Sequence, residues 1–426
     1  MRVMKTEILA GLTTFMTMSY IIFANPAILS AAGVPPRAAL AVTCLGTALA
    51  TALMGLWARY PFAVAPGMGL NAFLAYTICR GMGYSWETGM AVVVVEGAII
   101  TVLVVVGLRQ WVMDAIPMSL KHAIGMGIGM FIAFIGLQNG GLVVRNPATL
   151  VTLGNLAEPA ALVAVAGLLV TVALLTWRVP GAILLGIVFS AVLADAGFGL
   201  ARLPGSWGEV AALPDFSTVG GFVRGFPEVL SWKLLPVILA FLMTDFFDTM
   251  GTIIAVGTQA GFVDAKGRIP RIREILYVDS LAALFGGILG SSSLTTYVES
   301  ASGVAAGGRR GTTALTVAVL FLLAMFVSPL AAAIPPCAVA PALIIVGYLM
   351  VRSLSGIEWL RVEEGIPAFL VFMLMPLTFS ISTGVGWGLI AFVAIQSFRG
   401  NFRAIHPFLW AVAAVFAVAF SPLVPR

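Results

Sequence analysis

Charge is scarce in this chain. Only 10% of its 426 residues are Asp, Glu, Lys or Arg, 60% are hydrophobic, and the mean hydropathy is +1.06. Average chains carry about 25% charged residues, so this scarcity excludes a soluble globular domain. Cysteine is nearly absent. Cys44, Cys79 and Cys337 fall singly within or at the ends of apolar segments, which excludes a disulfide framework and a paired-thiol metal site. His122 and His406 are the only histidines, too few for a histidine-based metal centre or triad, and no metal is expected. The net charge of +5 is carried in short loops, where basic residues set membrane topology and do not bind nucleic acid. What remains is an all-α polytopic membrane protein with the lipid bilayer as its constant partner. Ile8 to Ala32 is longer than a signal-peptide core and contains Asn25-Pro26, so it reads as a first span and not as a cleaved leader.

Spans of about 20 apolar residues divide the chain. Arg2 and Lys5 place the N-terminus on the cytoplasmic side. Spans one and two cover Glu7–Ala32 and Arg37–Trp57. The third segment, Pro61–Tyr76, is too short for a full span and is broken at Pro66-Gly67. It reads as an extended piece turning into a half-helix, a form tolerated at membrane depth only where protein or a cavity satisfies the backbone. Ser85–Leu108, Lys121–Leu142, Ala157–Arg178 and Pro180–Phe198 follow, then a polar connection at Gly199–Glu228 that marks the seam between halves. Asp264–Arg273 is a strongly basic cytoplasmic loop. Tyr277–Leu289 is a span, and Gly290–Gly303 is again short and polar, unlike a plain helix. Thr312–Ala333 and Ala338–Val351 follow. Gly365–Phe398, broken at Ser382-Thr383-Gly384, is one kinked span or two half-length ones, and His406–Leu423 closes the chain. The total is about fourteen segments.

The stretch Trp232–Gly261 organises the rest. It is long and apolar enough to cross a bilayer, yet Asp245 and Asp248 sit in its middle. A carboxylate at the centre of a membrane helix costs roughly 2.5–3.5 kcal/mol unless it faces protein, water or a ligand. The i,i+3 spacing puts both acids on one face, with Thr249 and Thr252 an i,i+4 step further. A polar knot between helices is the bland alternative. Intramembrane acids more often mark substrate or proton paths.

With that helix opening the second half, the two broken segments hold the third place in each half. Each half then has an odd number of segments, so the second is inverted relative to the first. Interrupted segments at matching positions of inverted halves point to a transporter binding site. Asn71 falls in the first turns of one half-helix and Glu299 at the start of the other, both expected to face Asp245 and Asp248. Lys and Arg are absent from this set, which suits a neutral planar molecule with alternating donors and acceptors better than a strong anion. Phe73, Tyr76, Phe246, Phe247 and Tyr297 are nearby aromatics, of which one or two could stack on a ring.

Four motifs, Thr6–Tyr20, Ala65–Phe73, Asp245–Thr252 and Thr295–Gly308, resemble the AzgA-like hypoxanthine/guanine/adenine permeases of the nucleobase–cation symporter-2 (nucleobase–ascorbate) superfamily. The resemblance covers nearly the whole chain. It implies a seven-plus-seven inverted repeat with UraA-like core and gate domains: core at 1–110 and 228–334 (segments one to four and eight to eleven), gate at 111–227 and 335–426. It implies purine uptake coupled to protons by an elevator-like movement, a plasma-membrane location, a homodimer and no cofactor beyond the proton. The implied substrate positions are Asn71, Asp245 and Glu299, with Phe73, Thr296 and Tyr297 beside them. The implied proton carriers are Asp245, Asp248 and Glu299. Asp245 takes the place of the acid that binds the base, and Asp248 is structural or part of the proton path. The same fold carrying xanthine, uracil or a small anion is the alternative. A channel needs no acid pair at this depth. An intramembrane aspartyl protease would place its acids on different helices, so no enzyme is expected.

Overall fold

A backbone in hydrocarbon must satisfy its own N–H and C=O groups, so long apolar runs become helices. The computed structural model describes residues 2–108, 115–201, 210–262, 269–351 and 357–421. Helices α1 (Arg2–Met18) and α2 (Ile21–Ser30) meet at a tight turn, and α3 (Pro36–Leu53) runs into a π-helical turn at Met54–Ala58. Strand β1 (Val64–Pro66) leads into α4 (Met68–Ala72), which continues as π-helix from Phe73 to Gly81. Next come α5 (Trp86–Val106), α6 (Met118–Asn139), the hairpin β2 (Val143–Asn146) and β3 (Leu150–Leu153), α7 (Pro159–Thr176) and α8 (Ala182–Phe198). A short α9 (Phe222–Val229) precedes α10 (Leu235–Gln259) and α11 (Ile272–Leu289). Strand β4 (Leu294–Thr296) is followed by α12 (Ser300–Ala305), α13 (Gly311–Ala324) and α14 (Pro329–Ala333). The remaining helices are α15 (Pro336–Val351), α16 (Val362–Thr378), α17 (Ile381–Phe398) and α18 (Pro407–Phe420).

Local signals explain the boundaries. Pro36, Pro159 and Pro407 open helices, where a missing N–H costs nothing. The Ser85 hydroxyl accepts from Thr88 N to cap α5, and Gly107 closes that helix at φ 78°. The run Gly365–Phe398 falls in two separate helices, α16 of 17 residues and α17 of 18, in place of one kinked span or two half-length ones. Its break lies at Phe379-Ser380, ahead of the expected Ser382-Thr383-Gly384. Phe379 ends α16 at φ 53°, and the Ser380 hydroxyl caps α17 by accepting from Thr383 N. Lys266 and Arg268 of the basic loop lie outside the described residues.

Among the described residues, six helices are long and apolar enough to cross a membrane: Val3–Ser30, Pro36–Ala58, Trp86–Val106, Met118–Asn139, Pro159–Thr176 and Ile381–Phe398. The organising helix α10, at 25 residues, spans about 37 Å. Helix α5 packs along α11, α3 and α1 along α13, and α6 against α15 and α16. Small residues make these approaches close. A Cβ on Gly311 would overlap the Gly55 carbonyl, and one on Gly55 would lie 2.7 Å from the Gly311 oxygen. Gly311→Ala is therefore expected to destabilise the protein by about 1–3 kcal/mol. A thermal melt of the purified variant matching wild type contradicts this.

The two broken segments cross each other. β1 and β4 pair antiparallel, Val64 opposite Thr296, Ala65 opposite Thr295 and Pro66 opposite Leu294. Gly67 N donates to the Ser293 carbonyl (3.0 Å) and Tyr297 N to the Ala63 carbonyl (2.9 Å), extending the pair at both ends. All six strand residues are buried. Segment three runs on past the expected Tyr76 to Gly81.

Candidate substrate site

A two-stranded sheet buried in a membrane protein has two outer edges, and each unpaired group there is costly. Side chains from neighbouring helices fill them. On the β1 side, the Thr51 hydroxyl donates to the Val64 carbonyl (3.0 Å) and accepts from Val64 N (2.9 Å). The Ser300 hydroxyl accepts from Ala63 N at 2.9 Å. On the β4 side, Asp279 Oδ1 accepts from Thr296 N at 3.1 Å, and Asp279 Oδ2 accepts from the Thr249 hydroxyl at 2.7 Å. Thr249 has spent its proton there, so Thr295, 2.9 Å away, donates to it. The Tyr297 hydroxyl donates to the Pro66 carbonyl at 2.7 Å. The crossing is thus a braced platform, and it fixes where α4 and α12 begin.

Glu299 sits at the N-cap position of α12 and is half-buried. The Tyr20 hydroxyl, from the turn between α1 and α2, donates to Glu299 Oε1 at 2.8 Å. Ser302 donates to the Glu299 carbonyl at 2.7 Å, and Thr17 meets the Ser302 hydroxyl at 2.7 Å. Asp248 on α10 is also half-buried, and the charged groups acting on it are Asp279 and Glu299, both acidic. Asp248, Glu299, Tyr20 and Tyr297 therefore form one electrostatic cluster. Asn71, in the first turn of α4, is fully buried and donates its Nδ2 to Asn25 Oδ1 at 2.5 Å. The set offers carboxylate and amide acceptors with a phenol between them, suited to a ligand rich in N–H donors.

Several expected residues take other places. Asp245 is completely buried, as Asn71 is, whereas Asp248 is half-buried. The Thr249 hydroxyl, expected to join the Asp245 stripe, serves Asp279 instead. Phe73 is fully buried and stacks on Phe241 with ring centroids 5.3 Å apart, a packing contact. Thr296 and Tyr297 brace the crossing with their polar atoms. Tyr20, Asn25 and Asp279 belong to the platform and carry the signal that singled out Asp245: a polar or acidic side chain within an apolar span. A cavity of about 800 Å³ lined by Met82, Tyr84, Trp232, Lys233, Pro236 and Val418 opens elsewhere and includes neither the acids nor Asn71.

Comparison with known proteins places the chain. The permease family model Xan_ur_permease matches residues 5–386. The guanine/hypoxanthine permease PbuG of Bacillus subtilis (strain 168) is 42% identical over 426 residues, covering 98% of this chain and 96% of the relative. The adenine permease AdeP of Escherichia coli (strain K12) is 40% identical over 412 residues, covering 97% and 92%. Among solved structures, the transmembrane domain of a cyanobacterium bicarbonate transporter, BicA, superposes with a TM-score of 0.64 at 15% identity, covering 92% of this chain and 98% of that one, which establishes a shared transporter fold. The chain belongs to the Xan_ur_permease family of membrane permeases, the purine-nucleobase grouping its motifs imply.

Proposed function

We propose that this permease imports purine nucleobases (hypoxanthine, guanine or adenine) together with protons, by elevator-type alternating access. The observation that carries the reading is the half-buried Glu299, which accepts from the Tyr20 hydroxyl at 2.8 Å, together with the half-buried Asp248 of α10. Acids so placed accept ring N–H groups, and the cheapest neutraliser of like charges in a low dielectric is a proton. The acid pair disfavours an anionic cargo. The names of PbuG and AdeP support purines.

The finer architecture is part of this proposal: fourteen segments in two inverted halves, with core at 1–110 and 228–334, gate at 111–227 and 335–426, and a homodimer in the plasma membrane. The crossing of β1 with β4 supports matched halves. A cytoplasmic N-terminus is supported by contacts that gather basic ends on one face. Glu7 Oε2 accepts from Thr313 Oγ1 (2.6 Å) and from Arg310 N (3.1 Å), and Arg271 Nη2 donates to the Trp57 carbonyl (2.9 Å).

The test is uptake of radiolabelled hypoxanthine by cells expressing the protein, with guanine, adenine, xanthine and uracil as competitors and with a protonophore. Saturable uptake blocked by the purines and collapsed by the protonophore is expected. Protein at the membrane without purine uptake refutes the reading.

A further inference from the structure

Asn71 can offer a ligand either its amide N–H or its amide oxygen, and its neighbours decide which. Thr43 donates its only hydroxyl proton to the Ala39 carbonyl at 2.6 Å. Its oxygen can therefore meet Asn25 only as an acceptor, and Asn25 Nδ2 donates to it at 2.7 Å. The same Nδ2 faces the Ser291 carbonyl, 3.4 Å away, which also only accepts. With its nitrogen committed on that side, Asn25 turns its oxygen to Asn71, and Asn71 must donate to it. Donation runs in one direction, from Asn71 to Asn25 to Thr43 to Ala39. All four residues are fully buried, so no solvent reverses the order.

The consequence falls on the other atom of Asn71. Its Oδ1 is buried and has no hydrogen-bond partner. The Ser292 and Ser293 hydroxyls, on the turn into β4, are buried without partners as well, and Ser293 accepts at its carbonyl from Gly67 N, at the start of α4. A buried acceptor left unmet is destabilising, and a group of them at one crossing marks a place where a polar ligand completes the structure.

We infer that Asn71 Oδ1 accepts a ring N–H of the substrate, and that Asn25 and Thr43 are positioning residues that fix this polarity. This rests on the purine reading and adds a selection rule to it. A base with an N–H at that ring position is accepted. One with a lone pair or a methyl there leaves both sides unpaired and is refused.

The experiment is competition against hypoxanthine uptake by 1-methyl-, 7-methyl- and 9-methylhypoxanthine, each lacking one N–H. In wild type, one analogue is expected to bind about tenfold or more weakly than hypoxanthine. Thr43→Val leaves Asn71 in place and removes the nearer of the two acceptors that hold the Asn25 amide, leaving only the Ser291 carbonyl at 3.4 Å, and should cut that discrimination to about threefold or less. Thr43→Ser keeps the relay and should keep the wild-type ratio. Should Thr43→Val fail to reach the membrane, Asn25→Asp, which still accepts from Asn71, should preserve the ratio where Asn25→Leu loses it. The inference is overturned by unchanged discrimination in Thr43→Val or Asn25→Leu, by loss of it in Thr43→Ser, or by a wild type indifferent to every methyl group. A wild type that transports no hypoxanthine fails at the earlier step: it refutes the purine reading and removes this ligand with it.

Discussion

Asp248→Asn is expected to lower hypoxanthine uptake by roughly a hundredfold or more, with the protein still folded and at the membrane. The substitution keeps the size of the side chain and removes an ionisable acceptor. Asp248 is the half-buried acid of α10 and its charged neighbours are Glu299 and Asp279, so its carboxylate faces the cluster where a ligand N–H or a proton would be held. Because the side chain braces no strand edge in the structure, the loss should appear in uptake and leave thermal stability close to wild type. Asp245→Asn differs. That residue is completely buried, so its replacement should register in stability as well as in uptake. Radiolabelled uptake and a melt of the purified protein separate the two. Normal uptake by Asp248→Asn at wild-type surface level would remove it from the site.

Asp279→Leu should be the most destabilising substitution at the platform. Oδ1 accepts from the backbone N–H of Thr296 and Oδ2 from the Thr249 hydroxyl, and all three residues are buried. An apolar side chain there leaves an amide and a hydroxyl unmet at membrane depth, at about 1–3 kcal/mol each, or about 2–6 kcal/mol together. The β1–β4 pair would loosen, and with it the start of α12 and the position of Glu299. Uptake should be lost along with stability. Asp279→Asn keeps one acceptor and should fall between. A melt for Asp279→Leu indistinguishable from wild type would mean that the strand edge finds another partner.

The two broken segments could be read from the residues because membrane depth makes polar groups expensive. Pro66-Gly67 and the Gly290–Ser293 run broke two apolar segments, and both breaks are strands followed by helices with Asn71 and Glu299 at their first turns. What could not be read was who faces whom. Tyr20 meets Glu299 from 279 positions away, and Asn25 meets Ser291 from 266. Such pairs follow from how segments stack, which periodicity within one segment does not encode. Helical spacing placed Asp245 and Asp248 on a common face, but only packing made one buried and the other half-buried. Aromatic composition likewise put Phe73 near a ring-binding place, and the Phe241 ring took up its face. Asp279 showed the same signal as Asp245 and stands one helix further on.

The most direct measurement is charge movement in proteoliposomes holding the purified protein. Hypoxanthine is neutral near pH 7, so any current it evokes is carried by a coupled ion. Adding it should drive positive charge inward, with amplitude rising as the outer pH is lowered and vanishing in Glu299→Gln. Accumulation of labelled hypoxanthine with no current at any pH would contradict proton coupling through the Asp248–Glu299 cluster.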